Sequence, residues 1–411
     1  MRITRVEVTT LVFAYAPERR FRYAGGVCTH RVTSLVQVHT DTGQVGIGCA
    51  YSHPGIVSLV IEEHLAPHLI GRDPTEVEAL WLTMYRHVRW YGRKGAAVSA
   101  LGALDIAFWD LRGKAEGSTV RALLGAERDA VPAYASALLW TDAVDDLARE
   151  AAAHRERGFR RMKMRLGRGP AYDLPALDAV RRGAGAEAQI LVDGSMQYTV
   201  DQAAELAREL EARNVLWFEE PFEPEDLDSY TALQQRSRVP LAAGENDFTL
   251  TGFRELLRAD AIDIAQADAC RCGGITEVYQ VGRLAAEHGK RLAPHSWSDA
   301  VAIVANAQVV AALENALTVE VDQTGNPFVD ELLGARLPMV DGLLRLSDAP
   351  GLGIELDAAV VDRYRWPAGM ALPAGAYSDM AFVEPAPVAE QTLAPLDDPG
   401  SARWRPRLPG A

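Results

Sequence analysis

Residues 189–246 read QILVDGSMQYTVDQAAELARELEARNVLWFEEPFEPEDLDSYTALQQRSRVPLAAGEN, and two periods alternate within them. The runs 189–192, 215–218 and 240–243 are short, apolar and bounded by polar or turn residues, the pattern of strands covered on both faces. Between the first two, residues 200–213 space their apolar positions as a helix does. A strand, a crossover helix and another strand form the unit of a parallel sheet. Working outward, further strands are expected at 131–138, 161–166, 262–267, 291–293 and 317–321, with helices at 142–157, 251–258 and 275–288. Eight such rounds in about 220 residues predict an α/β fold with a (β/α)8-type TIM barrel, one helix being degenerate near the end.

The flanks differ. Strands are expected at 6–13, 33–39 and 44–48, the last two joined by the turn Asp41-Thr42-Gly43. From residue 56 to 124 the period is helical, as in the series Ala97, Leu101, Leu104, Ala107, Leu111. The chain therefore divides into an N-terminal α+β unit (1–128), a barrel (129–355) and a Pro/Ala-rich tail (356–411). The tail has no sustained period, so it is expected to lie over other elements or a neighbouring subunit, with its end disordered.

The 411 residues carry 42 Lys and Arg against 56 Asp and Glu, a formal charge of −14 that disfavours nucleic acid and anionic membrane surfaces as partners. Acids gathered in one pocket, by contrast, suit a hard divalent cation. Cys28, Cys49, Cys270 and Cys272 form no disulfide framework, and Cys270-x-Cys272 lacks the spacing of zinc or redox motifs. Charged residues interrupt the N-terminus, and the longest uncharged apolar stretch, 300–313, contains Asn306 and Gln308 and is too short to span a bilayer. A cytoplasmic protein is expected.

Catalytic groups of such a barrel sit at the C-terminal ends of its strands. Strand two ends in Lys163-Met164-Arg165, strand three in Asp193, strand four in Glu219, strand five in Glu245-Asn246, strand six in Asp268, strand seven in His295 and strand eight in Glu320, with Asp322 a local rival. Three carboxylates on consecutive strands would repel one another unless a cation neutralises them, so Asp193, Glu219 and Glu245 read as a cage for Mg2+, one ion per site. An all-oxygen set excludes zinc as the natural occupant. Asp268, on the strand beside His295, is placed to hold one imidazole nitrogen and raise the basicity of the other.

Six motifs in order carry a resemblance: Ala107-Phe108-Trp109-Asp110-Leu111-Arg112-Gly113-Lys114, Val192-Asp193-Gly194, Trp217-Phe218-Glu219-Glu220-Pro221, Gly244-Glu245-Asn246, Asp268 with Gly273-Gly274, and Pro294-His295-Ser296. Over residues 1 to about 355 the chain resembles the enolase superfamily, within it the mandelate racemase subgroup (mandelate racemase/muconate lactonizing enzyme family). The ligand interval matches that subgroup, 26 residues from Asp193 to Glu219 and 26 from Glu219 to Glu245. The resemblance implies a capping α+β domain, a (β/α)7β barrel, and Mg2+ that chelates a substrate carboxylate and stabilises the enediolate formed when the α-proton leaves. It further implies a His295–Asp268 dyad, a carboxyl group on strand eight (Glu320) that hydrogen-bonds the enediolate oxygen, and a homo-oligomer, from dimer to octamer.

The chain departs from mandelate racemase itself at strand two, where a Lys-x-Lys pair is replaced by Lys163-x-Arg165. A guanidinium stays protonated and holds anions, so two-base racemisation is weakened, while Lys163 contacts the substrate carboxylate or serves as a base. One strong base favours dehydration of an acid sugar to a 2-keto-3-deoxy acid. An epimerase, a racemase and a lactone cycloisomerase use the same first step, and a non-catalytic descendant is the distant alternative. The resemblance places specificity in cap loops 16–29 and 50–54, giving Arg22, Tyr23, Tyr51 and His53 as substrate contacts beside Asn246 and Trp297. Arg271 is either structural or substrate-facing.

Overall fold

The computed structural model describes residues 1–126, 128–376 and 380–382. Strands β1 (Ile3–Ala14), β2 (Phe21–Tyr23), β3 (Gly26–Thr40) and β4 (Val45–Ala50) form an antiparallel sheet centred on β3. Both long strands exceed their expected limits, because β1 and β3 stay paired from Val6 and Val38 to Ala14 and His30. The segment 16–29, expected as a loop, is instead partly a hairpin of β2 on β3.

Helix Val77–Val88 packs on a second helix, Ala96–Glu116, which packs on this sheet against β3 and β4. The second is buried on all sides from Ala97 to Leu111, since it lies between β4 and the barrel. Its motif residues bind the two units together. Asp110 accepts from the backbone N–H groups of Ile47 and Leu352, 3.0 and 2.9 Å away, and pairs with Lys114 at 2.7 Å. Asp105 takes the N–H and hydroxyl of Thr276 on a barrel helix, and burial pushes its carboxyl up to about 8.

Close approach explains Gly48 on β4, where a Cβ would collide with the carbonyl oxygen of Ala103. That oxygen is backbone and cannot swing aside. Gly48→Ala is expected to cost about 3 kcal/mol, read as a lower urea midpoint with an unchanged slope.

Eight parallel strands follow: β5 (Ala130–Ser136), β6 (Arg161–Arg165), β7 (Gln189–Asp193), β8 (Val215–Glu219), β9 (Leu241–Ala243), β10 (Ile264–Ala265), β11 (Arg291–Leu292) and β12 (Val319–Asp322). They pair in sequence, and β12 pairs with β5. Between β11 and β12 the ring is joined by a parallel bridge, Leu292 accepting from the N–H of Leu317 at 2.8 Å. Tyr134, Leu191, Trp217, Ala242, Ile264 and Ala293 fill the lumen.

Seven long helices follow the first seven strands, the last being Ala300–Ala312, while only the single turn Pro327–Asp330 follows β12. The barrel is thus (β/α)7β. The apolar stretch near residue 300 is the seventh helix, buried from Ala300 to Ala311. No helix among the described residues is long and apolar enough to cross a membrane.

Beyond the barrel, β13 (Met339–Val340) and β14 (Leu343–Arg345) form a hairpin whose second strand runs antiparallel to β5. The tail is less featureless than its sequence suggests. Helix Ala358–Tyr364 sets Tyr364 against Phe13 and Phe328, and β15 (Met380–Phe382) joins the cap sheet beside β3. Seven and three residues are too few to display a period. The disorder expected at the chain's end concerns residues 383–411, outside the described residues.

Candidate active site

Parallel strands in register bring their last residues side by side: Arg165 is level with Asp193, and Asp193 with Glu219. Asp193, Glu219 and Glu245 each direct a carboxylate oxygen to one point, the three lying within 4.8 Å of one another. Lys163, fully buried, reaches Glu219 at 2.5 Å, Glu320 at 2.8 Å and Asp193 at 3.9 Å. The indole N–H of Trp217 fixes the other oxygen of Glu219 at 3.0 Å. Arg165 pairs with Asp193 and lies over the rings of Trp297 and Tyr23, its centre 4.7 and 5.6 Å from theirs.

On the opposite side His295 Nδ1 lies 2.8 Å from Asp268 Oδ2. The other Asp268 oxygen accepts from Asn306 and from the N–H of Cys270, both at 2.9 Å. With Nδ1 so held, Nε2 faces the acids, 3.6 Å from Glu245 and 3.8 Å from Glu320. Burial opposes the imidazolium, yet Glu245, Glu320 and the Asp268 hydrogen bond outweigh it and push His295 up to about 9.

Glu320 is buried too, which would raise its carboxyl, but Lys163, His295 and Arg165 hold it well below the usual carboxylate range. Glu320 pairs with Lys163 at 2.8 Å through one oxygen and accepts from the N–H of Ser296 at 3.0 Å through the other. Its rival Asp322 is engaged elsewhere, by buried Arg31 of the cap and by Asn326.

A cleft of roughly 380 Å³ opens over the acids, with Tyr23, Tyr51 and Ser52 of the cap on one side and Arg165, Asn246 and Trp297 of the barrel on the other. Two expected contacts are absent from it. Residues in a strand alternate in direction, so with Phe21 and Tyr23 packed toward Trp297, Arg22 points away and pairs with Asp142 at 2.6 Å. His53 follows Ser52 where the chain has left β4 and turns into helix Pro54–Leu59, and it does not line the cleft. Arg19 and Arg20 line a separate cleft of about 420 Å³ with Arg157 and Arg336, away from the strand-end acids.

Three residues escaped the sequence reading. Asn306, which props Asp268, carried a signal: it is polar within an uncharged apolar helix. Tyr134 carried none, being one more aromatic in a strand; its buried hydroxyl has no hydrogen-bond partner among the described residues, and Lys163 Nζ lies 5.5 Å from its ring centre. Glu220, buried and pushed well above its ordinary value first by desolvation and then by Glu245 and Glu219, accepts from Asn246 at 2.8 Å.

The residues fit a hard divalent cation. The three converging donors are all carboxylate oxygens, and Glu245 Oε2 is buried with no hydrogen-bond partner among the described residues, a cost that a cation would remove.

The chain matches two family models, the mandelate racemase/muconate lactonizing enzyme N-terminal domain over residues 7–125 and the enolase C-terminal domain-like family over 146–360. It is 35% identical over 379 residues to D-galactarolactone cycloisomerase of Agrobacterium fabrum, spanning 89% of this chain and 100% of that enzyme. It is 32% identical over 334 residues to arabinonate dehydratase of Saccharolobus solfataricus, 80% of this chain and 89% of that one. Among solved structures, a racemase from Streptomyces coelicolor with bound magnesium superposes with a TM-score of 0.82 at 27% identity, covering 89% of this chain and 100% of that one. The relatives are thus acid-sugar dehydratases, cycloisomerases and racemase-like enzymes. With both of its halves matched in order, the chain belongs to the mandelate racemase/muconate lactonizing enzyme family of the enolase superfamily.

Proposed function

We propose that the protein is a Mg2+-dependent acid-sugar dehydratase that converts a polyhydroxy carboxylate to its 2-keto-3-deoxy acid. The observation that carries this reading is the asymmetry of the groups around the acid cluster. One side offers His295, its Nε2 free of the Asp268 bond and 3.6 Å from Glu245. The other offers Arg165, which stays protonated and is tied to Asp193. Lys163, bound to Glu219 and Glu320, is engaged as a cation. A two-base racemase would need a second acceptor where Arg165 stands.

Asp193, Glu219 and Glu245 would hold the cation, which when bound supplies positive charge to the dianion that develops on α-proton loss. The chain's own residues do the rest. In its neutral form His295 Nε2 takes the α-proton; the electrons of that C–H bond form a C=C bond as the β C–O bond breaks. The same imidazolium gives its proton to the departing hydroxide, which leaves as water. The enol then ketonises. Asp268 and Asn306 keep the imidazole oriented, and Lys163 holds a carboxylate oxygen of the substrate.

Opening of a sugar lactone is a second reading, favoured by the similarity to the Agrobacterium cycloisomerase; there a ring oxygen leaves in place of hydroxide. The test incubates Mg2+-loaded protein in D2O with sugar acids and their lactones. α-Proton loss is followed by NMR and keto acid by colour reaction. Keto acid from an open-chain sugar acid supports the dehydratase, keto acid from lactones alone supports the cycloisomerase, and exchange without either product overturns both.

A further inference from the structure

Arg271, in the turn after β10, lines the same cleft as Arg165. Its guanidinium lies 4.9 Å from the ring centre of Tyr51 and 5.2 Å from that of Phe248, and its Nη2 donates to Asn246 Oδ1 at 2.7 Å. These contacts set the plane and azimuth of the fork. They do not neutralise it: among the described residues Arg271 makes no ion pair, and its Nε is buried without a hydrogen-bond partner. Asp247, next in sequence to Asn246, senses the charge but does not pair with it. A desolvated donor left unmade is costly, and a rigid, charged fork is satisfied best by a group with two anionic oxygens; a single hydroxyl meets only part of that demand.

We infer that Arg271 receives a second carboxylate of the substrate, so that diacid sugars and their monolactones are preferred over monoacids. This rests on the proposed function, which places the reacting carboxylate at the Lys163 and Asp193 end of the cleft.

The test compares matched pairs, galactarate with galactonate and glucarate with gluconate, in wild type, Arg271→Gln and Arg271→Lys, each loaded with Mg2+. Wild type is expected to favour the diacid by about 100-fold in kcat/KM. Arg271→Gln removes that preference chiefly through KM, and the lysine variant keeps part of it. A monoacid processed as well as its diacid by wild type overturns the inference, as does an equal loss on both substrates in Arg271→Gln with an unchanged melting temperature. If no sugar acid loses its α-proton, the proposed function fails, and calorimetric binding of inert succinate against butyrate decides the inference alone. Tighter succinate binding that disappears in Arg271→Gln upholds it; equal binding ends it.

Discussion

His295→Asn is expected to lower turnover by at least about 1,000-fold, near the upper part of the range for a general acid–base group, while leaving Mg2+ affinity within about threefold. Asparagine keeps a polar side chain of similar reach and can still donate to Asp268, so the pocket stays filled. It has no nitrogen that accepts a proton at neutral pH. In the proposed reaction one imidazole both takes the α-proton and returns it to the leaving hydroxyl, so exchange in D2O and keto acid formation should vanish together. Exchange that persists while keto acid is lost would assign α-proton removal to the β6 side, where Lys163 stands, and leave His295 as the acid. Near-normal dehydration by the variant would sink both versions.

Glu219→Gln should weaken Mg2+ binding by at least about 100-fold, more than loss of an outer-shell partner costs, and abolish turnover at ordinary metal concentrations. The change is nearly isosteric, so Trp217 keeps an acceptor and Lys163 keeps Glu320. What it removes is one of three negative charges at the convergence point. Calorimetry on the variant and wild type measures this directly, with thermal melting as the control for folding. An unchanged affinity would mean that the three acids are not where Mg2+ binds. Recovery of activity at high Mg2+ would show that the remaining chemistry is intact.

Much of this site is legible in the sequence. Barrel strands such as β7, β8 and β9 bury both faces and therefore appear as short apolar runs, and the first polar residue after the run marks the C-terminal end. Strands adjacent in sequence are adjacent in a parallel barrel, so consecutive strand-end acids must meet. Asp193, Glu219 and Glu245 were readable on that basis, and so was the His295–Asp268 pair. The same reading failed where side-chain direction is set by local geometry: Arg22 and Tyr23 are neighbours in sequence, but the β2 hairpin turns one toward Trp297 and the other toward Asp142. His53 was lost likewise, because the chain bends out of the sheet before reaching it.

Partner choice across long separations was hidden as well. Arg31 and Asp322 stand 291 residues apart, Cys49 and Cys270 221 apart, and Asp105 and Thr276 171 apart. Each pair joins the cap to the barrel, and nothing in either segment names its partner. The sequence by itself determined the order of the strands, the composition of the acid cluster and the place of the histidine on strand seven, because hydrophobic period and strand adjacency are properties of the chain read in one dimension. Only the tertiary structure decided that Glu320 is ion-paired with Lys163, that Arg165 lies against the rings of Tyr23 and Trp297, and that Arg271 faces the cleft with no ion pair among the described residues. Charge state and side-chain direction depend on which groups the docked cap brings within a few ångströms, and that docking is a three-dimensional fact.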